Sequence, residues 1–420
     1  MNQDTAEAPA SPVRAGPVGN GLEDEITEIG RALGEGLRSV LGEVPGSPRG
    51  PQALATSLGL DKVLTSRVLK AARNRDPMAV AHHVPGPEPL RRLIKAAHKA
   101  GVSDSAIERA GRAVDRFDQL IRTRIGDRSA LDAIISAWLP EARRDFELRR
   151  KQSAFKAMSQ LKGVMTNVNL GTVFLHPSDD GEHLDIIWIV GLLGLQRLRP
   201  AVSVKVTTRR MAQEDAPRQP TTLSGKPIET VEDARLDAFC DAPPAPVSVQ
   251  RVGDVIHYFL GGSEFGPHSA VDLVLAEVNL REMPRYVPRE LGRKGNVFAE
   301  VATPSRSLLF DVLVHEDVYP GSEPALFIYD TVLEGVADVN DRRRDVDRLD
   351  LIETTQMLGR GAAPMRIAQV PRYIEMLRHV FGTMGWSEAQ FRGYRCNIDY
   401  PVYGSQVVLA FDPPPPPDGD

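Results

Sequence analysis

The chain of 420 residues is expected to be an α+β protein. An all-helical N-terminal domain should precede an α+β domain with a mainly antiparallel sheet. Three observations predict this. Up to about residue 162, apolar residues recur at three- and four-residue steps, the period of amphipathic helices. Beyond that point short β-branched runs bounded by Gly and Pro take over. The charge balance also reverses there. Residues 51–162 carry 22 Lys/Arg against 12 Asp/Glu, whereas residues 163–420 carry 25 against 36. A basic block beside an acidic one predicts two domains with different partners, the basic one suited to a polyanion.

Composition narrows the class further. An apolar fraction of 42% and a charged fraction of 25% belong to a globular protein with a sizeable core. No run of about 18 apolar residues is present, so no membrane span is expected. Cys240 and Cys396 are too few for a disulfide framework or a zinc site. A reducing, cytoplasmic setting is therefore expected, and residues 1–20, rich in Ala, Pro and Gly, read as a flexible leader without a secretory pattern.

The elements follow in order. Ile26, Ile29, Leu33, Leu37, Val40 and Leu41 predict a helix over 22–42, with Glu23, Asp24 and Glu25 in its first turn, where the helix dipole favours them. The run 44–50 is a turn. Short helices fit 51–58 and 62–73, and Pro77, Pro85, Pro87 and Pro89 then break the chain into turns. A helix from Glu88 or Pro89 closes at Gly101, and one capped by Ser103 ends at Gly126. Helices over about 128–138 and 140–162 complete the domain at 22–162. The second domain, 166–412, draws its strands from 184–190, 201–208, 252–260, 270–278, 296–302, 307–316, 325–330, 394–399 and 405–411. Residues 211–247 read mostly as loop with a short helix near 230–239. A helix is expected over 370–384 and a proline-rich tail over 413–420.

The segment PQALATSLGLDKVLTSRVLKAAR, residues 51–73, carries the most information. Ala55 supplies a small residue where two helices approach closely, and Gly59, four residues on, suits a turn that needs positive φ. Leu54, Leu58 and Leu60 can pack inward, and Asp61 can cap the second helix. Over these residues the chain resembles bacterial helix-turn-helix DNA-binding transcriptional regulators. The resemblance implies a recognition helix for double-stranded DNA, with Lys62, Thr65, Ser66, Arg67, Lys70 and Arg73 as the DNA-binding residues. One position departs from the pattern. Thr65 stands at the inner position that usually holds Ile or Val, and Leu64 precedes it. That spacing is compatible with a rotated helix or a slightly different turn. Arg91, Arg92, Lys95 and Lys99 in the following helix are candidates for further phosphate contacts.

Other signals carry less. His82 and His83 are adjacent and lack the i, i+4 spacing of a helical metal pair, so a loop or capping role is expected. His176, Asp179, Asp180 and His183 fit a polar hairpin tip better than a divalent-ion site. His315, Glu316 and Asp317 lack a second His at zinc-protease spacing, and no phosphate loop or nucleophile elbow is present. The loop 261–269 reads as a plain turn-rich connection. No metal or cofactor is expected. The expectation is a DNA-binding regulator, acting as a homodimer through the apolar stripes of 103–126 and 140–162. Its second domain would sense a small-molecule effector or bind a protein partner. An enzyme with a catalytic α+β domain and an adaptor whose helices are only structural are the alternatives.

Overall fold

The computed structural model describes residues 20–46, 50–200, 202–210, 220–241, 246–252, 255–262 and 264–417. The leader expected at 1–20 lies outside them except for its last residue, as do the end of the tail and part of the loop expected over 211–247. The chain divides into two compact units, Met1–Phe146 and Glu147–Asp420. Among the described residues no helix is long and apolar enough to cross a membrane.

The described residues of unit 1 form helices and the turns between them. Its helices are α1 (Asn20–Glu43), α2 (Pro51–Leu58), α3 (Lys62–Arg73), α4 (Pro77–His83), α5 (Pro87–Lys99), α6 (Asp104–Leu120) and α7 (Arg128–Ser136), and α8 (Pro140–Lys162) begins in it. A π-helical turn at Ile121–Ile125 ends α6, and Gly126, at φ 105°, stops it. The boundaries have local causes. Asp61, Asp76, Ser103 and Asp127 each accept the backbone N–H of the first turn of α3, α4, α6 and α7, which satisfies donors that the helix itself leaves unpaired. The apolar stripe of α1 (Ile26, Ile29, Leu33, Leu37, Val40) is buried against Val68, Val80, Ala110 and Phe117 in one core. Two glycines let α1 serve as the central helix. A Cβ on Gly30 would stand 2.0 Å from the Pro77 carbonyl oxygen, and one on Gly36 2.9 Å from the Ala110 Cα.

The region around Pro77 differs from the expected turn. Pro77 occupies the first turn of α4, where its missing N–H costs nothing. His82 and His83 therefore close a helix, not a loop, and are 4% and 7% exposed.

Unit 2 is an α+β sandwich. Its elements are β1 (Val164–Pro177), β2 (His183–Arg197), β3 (Val204–Arg210), α9 (Val231–Ala234), β4 (Val247–Val252), β5 (Val255–Leu260), β6 (Val271–Pro284), β7 (Gly295–Glu300), β8 (Ser305–His315), β9 (Ala325–Asp330), β10 (Thr355–Arg360), α10 (Tyr373–Met384), β11 (Phe391–Asp399) and β12 (Ser405–Phe411). A six-stranded sheet runs in the order β10-β11-β8-β1-β2-β6, and three-stranded sheets run β7-β12-β9 and β3-β5-β4. Among the described residues every strand pair is antiparallel except β1 with β8, in line with the mainly antiparallel sheet expected. One face of the large sheet packs on β7-β12-β9 through Val173, Phe310, Val312 and Leu409. The other packs on α10 through Phe174, Leu313, Leu377 and Phe381.

Three strands depart from the expectation. β1 and β10 were absent from it, and the run 252–260 spans the end of β4 and all of β5, a hairpin closed by Val252 opposite Val255.

Between α10 and the sheet lies a buried polar network. The Arg395 guanidinium donates to both Asp311 oxygens (2.8 and 2.7 Å) and to the Met365 carbonyl (2.6 Å). Tyr373 donates to Asp311 (2.7 Å), and its hydroxyl lies 2.9 Å from the Thr172 hydroxyl. Each charge finds its partner, which is the condition under which such a group is tolerated inside.

Candidate nucleic-acid interface

The basic face belongs to α3, and its orientation follows from packing. Leu64, Val68, Leu69, Ala71 and Ala72 enter the core of unit 1. The steps between them leave Lys62, Val63, Ser66, Arg67, Lys70 and Arg73 exposed. This stripe holds four cations and no acidic residue. α2 supports it. Leu54 and Ala55 are buried, and Gly59, at φ 64° and ψ 38°, donates its N–H to the Ala55 carbonyl. That left-handed geometry is the one a glycine adopts without steric cost. At the far end the Arg38 guanidinium on α1 donates to the carbonyls of Ala72 and Asn74, both at 3.3 Å, and so covers the C-terminal end of α3.

Five of the six expected contact residues thus share the outer face, and Thr65 does not. It is 0% exposed. Its hydroxyl donates to the Pro51 carbonyl at 2.8 Å, with the Lys62 carbonyl at 3.1 Å. A threonine fits this interior position because its one donor meets the first residue of α2 and no polar hydrogen is left unpaired. Thr65 ties the two helices together and cannot reach a ligand on the outer face. Val63, which sequence reasoning passed over, is 71% exposed in its place. Its signal was the stripe itself, since residues 63, 66, 67 and 70 lie on one side of a helix.

The cations differ in their present partners. Lys70 pairs with Glu141 at 3.2 Å, both well exposed, an arrangement worth little in water. Lys70 holds the Glu141 carboxyl below the usual range, mainly by hydrogen bonding. Arg67 donates to the Val84 carbonyl at 3.3 Å. In α5, Arg91 is committed elsewhere, to Glu88 (2.6 Å), Asp115 (3.0 Å) and Asp118 (2.8 Å). Arg92, Lys95 and Lys99 are exposed.

Behind α3, the His83 imidazole lies 3.8 Å from Glu141, and His82 lies 3.3 Å from Asp132. Burial, then the neighbouring Lys70, pushes the His83 pKa down.

The remaining signals resolve into structure. Asp180 accepts the N–H groups of Glu182 and His183 at the β1–β2 hairpin tip, as expected of a polar tip. His176 stacks on Trp386 at 4.4 Å. No group of three or more His, Cys, Asp or Glu among the described residues is placed to hold a metal. The apolar stripe of α6 (Ala106, Ala110, Ala113, Val114, Phe117) is buried within the core of unit 1. Comparison of the chain with family models, with curated proteins and with solved structures gives no match.

Proposed function

We propose that the chain is a DNA-binding transcriptional regulator of the bacterial kind, in which α2, the Gly59 turn and α3 form a helix-turn-helix and α3 enters the major groove. The observation that carries this reading is the outer face of α3, with Lys62, Arg67, Lys70 and Arg73 around Val63 and Ser66 and no carboxylate among them. Lysine and arginine meet phosphates or guanine acceptors, serine meets phosphate or a base edge, and an apolar side chain meets a thymine methyl. Glu141 yields Lys70 cheaply, because an exposed ion pair contributes at most about 1 kcal/mol. Two copies reading two half-sites would add affinity and sequence length, and light scattering of the protein with and without a selected palindromic duplex checks this.

The primary test is fluorescence anisotropy with labelled random duplex DNA at low salt. Wild type should bind at micromolar concentration or better, and Arg67→Glu should bind at least about tenfold more weakly. Equal binding by both proteins, or none by a folded wild type, refutes the reading.

A further inference from the structure

Unit 2 holds a cleft of about 690 Å³, within the size range of small-molecule sites. Its floor is the face of the large sheet opposite α10, and its walls come from β7, from the paired strands β3 and β5 and from residues 334–336.

Two features mark it as more than a gap between sheets. First, it sets rings against carboxylates. Trp188 and Glu277 are directly paired across β2 and β6, so they share one face. Phe298 and Glu300 share a face of β7 by alternation. The Trp188 and Phe298 rings lie 5.9 Å apart at 58°, and Tyr258 adds a third ring to the lining.

Second, carboxylates outnumber cations in the described lining. Glu277 accepts one long hydrogen bond from Asn279 (3.3 Å), and neither it nor Glu300 forms an ion pair among the described residues. Crowding by protein pushes the Glu300 carboxyl up, and the Lys205 ammonium opposes this. Lys205 is the one basic residue among the described residues of the lining. The third acid of the lining, Glu334, lies 3.7 Å from Arg344.

The walls are fixed in advance. Asn169 donates to the Glu300 carbonyl (3.0 Å). Arg344, 7% exposed, donates to the carbonyls of Gly335 (2.8 Å) and Val336 (3.2 Å).

We propose that this cleft binds a small organic cation, an ammonium group on an apolar body, with Glu277 and Glu300 taking the charge and Trp188, Phe298 and Tyr258 taking the body and the cation's face. The described lining sets the carboxylates of Glu277, Glu300 and Glu334 against the one ammonium of Lys205, and a cation beside ring faces is the complement of such a surface. This site is independent of whether α3 meets DNA.

The test is titration of the full chain by tryptophan fluorescence and calorimetry with four probes of similar body. These are phenethylammonium, benzyltrimethylammonium, the neutral 2-phenylethanol and the anion phenylacetate. The cations should bind, the alcohol about tenfold more weakly or worse, and the anion not at all. Glu277→Gln and Glu300→Gln should each weaken the cations about tenfold or more. Trp188→Phe should remove the fluorescence change. The charge series on wild type decides the matter even where a variant does not fold. Binding of the alcohol or anion as tight as the cations overturns the proposal. So does the absence of cation binding up to about 10 mM, or unchanged affinity in both folded Glu→Gln variants.

Discussion

The outer face of α3 makes a quantitative prediction about salt. Lys62, Arg67, Lys70 and Arg73 are four cations on one exposed stripe. Each phosphate they neutralise releases counterions, so four contacts contribute about −3.6 to the slope of log K against log salt. Over a fourfold rise in salt, from about 50 to about 200 mM, that share alone weakens binding about 150-fold. The double variant Lys62→Ala/Arg67→Ala removes two contacts and should make the slope shallower by about 1.8, whatever other cations of the chain contribute. Both positions are exposed, so the variant should lose less than about 0.5 kcal/mol of stability per site. The control is Thr65→Val. It deletes the buried bond to the Pro51 carbonyl and costs about 1 kcal/mol of stability, yet should leave the salt slope at its wild-type value. The assay is anisotropy at five or so salt concentrations, with urea melts of each protein alongside. A double variant whose slope equals that of wild type would refute the placement of α3 against phosphates. A Thr65→Val slope as shallow as the double variant's would refute the assignment of Thr65 to the interior.

Three further outcomes follow from the packing. Asp311→Ala leaves the Arg395 guanidinium buried without its counter-charge and should cost about 3–5 kcal/mol in urea unfolding; a loss under about 1 kcal/mol would mean that water reaches the pair. The His83 pKa lies below its ordinary value of 6.5, so below that pH the unfolded chain takes up a proton that the folded chain refuses. Stability should therefore fall as pH drops from about 7 to about 5.5, and His83→Gln should fall less steeply; equal slopes would contradict a buried, neutral imidazole. Burial pushes the Cys396 thiol up to about 12 and leaves it 0% exposed. In a Cys240→Ser protein, a thiol reagent at about pH 8 should find nothing to react with until denaturant is added, and prompt reaction of the native protein would overturn this.

The helices of the basic half were legible because their ends are written locally. Asp61 and Ser103 cap, Gly59 terminates, and α2, α3 and α8 begin and end at the residues that spacing predicts. β9 and β12 were equally legible, being short apolar runs between turns. β1 was not, although it lies at the centre of the large sheet. It is covered on both faces and so lacks alternation, and its sequence mixes Thr166, Asn169 and Thr172 into the apolar run. Each of those polar groups has a partner far along the chain, namely the Leu193 carbonyl, the Glu300 carbonyl and the Tyr373 hydroxyl. No local rule anticipates partners so far along the chain. β10 escaped for a different reason. It is an edge strand broken by a register shift at Gly359, whose φ is 110°. The cleft in unit 2 was invisible for the same reason as β1, since Trp188, Glu277, Phe298 and Glu300 come from three strands and meet only in the fold.

The rotation of α3 separates what the fold needs from what the surface offers on one helix. Spacing alone was compatible with more than one rotation, because Leu64 and Thr65 both stand near the expected inner position. The structure buries both. Leu64 enters the core as an apolar side chain, and its N–H is taken by the Asp61 cap at 2.7 Å. Thr65 enters because its hydroxyl reaches back to α2. With those two turned inward, Lys62, Val63, Ser66 and Arg67 must face out, whatever they do there. The core needs none of them. Fold and surface are then free to vary separately: inner substitutions should shift stability and leave the salt slope alone, while outer ones should do the reverse. A helix whose exposed residues served only to solvate it would show the first effect without the second.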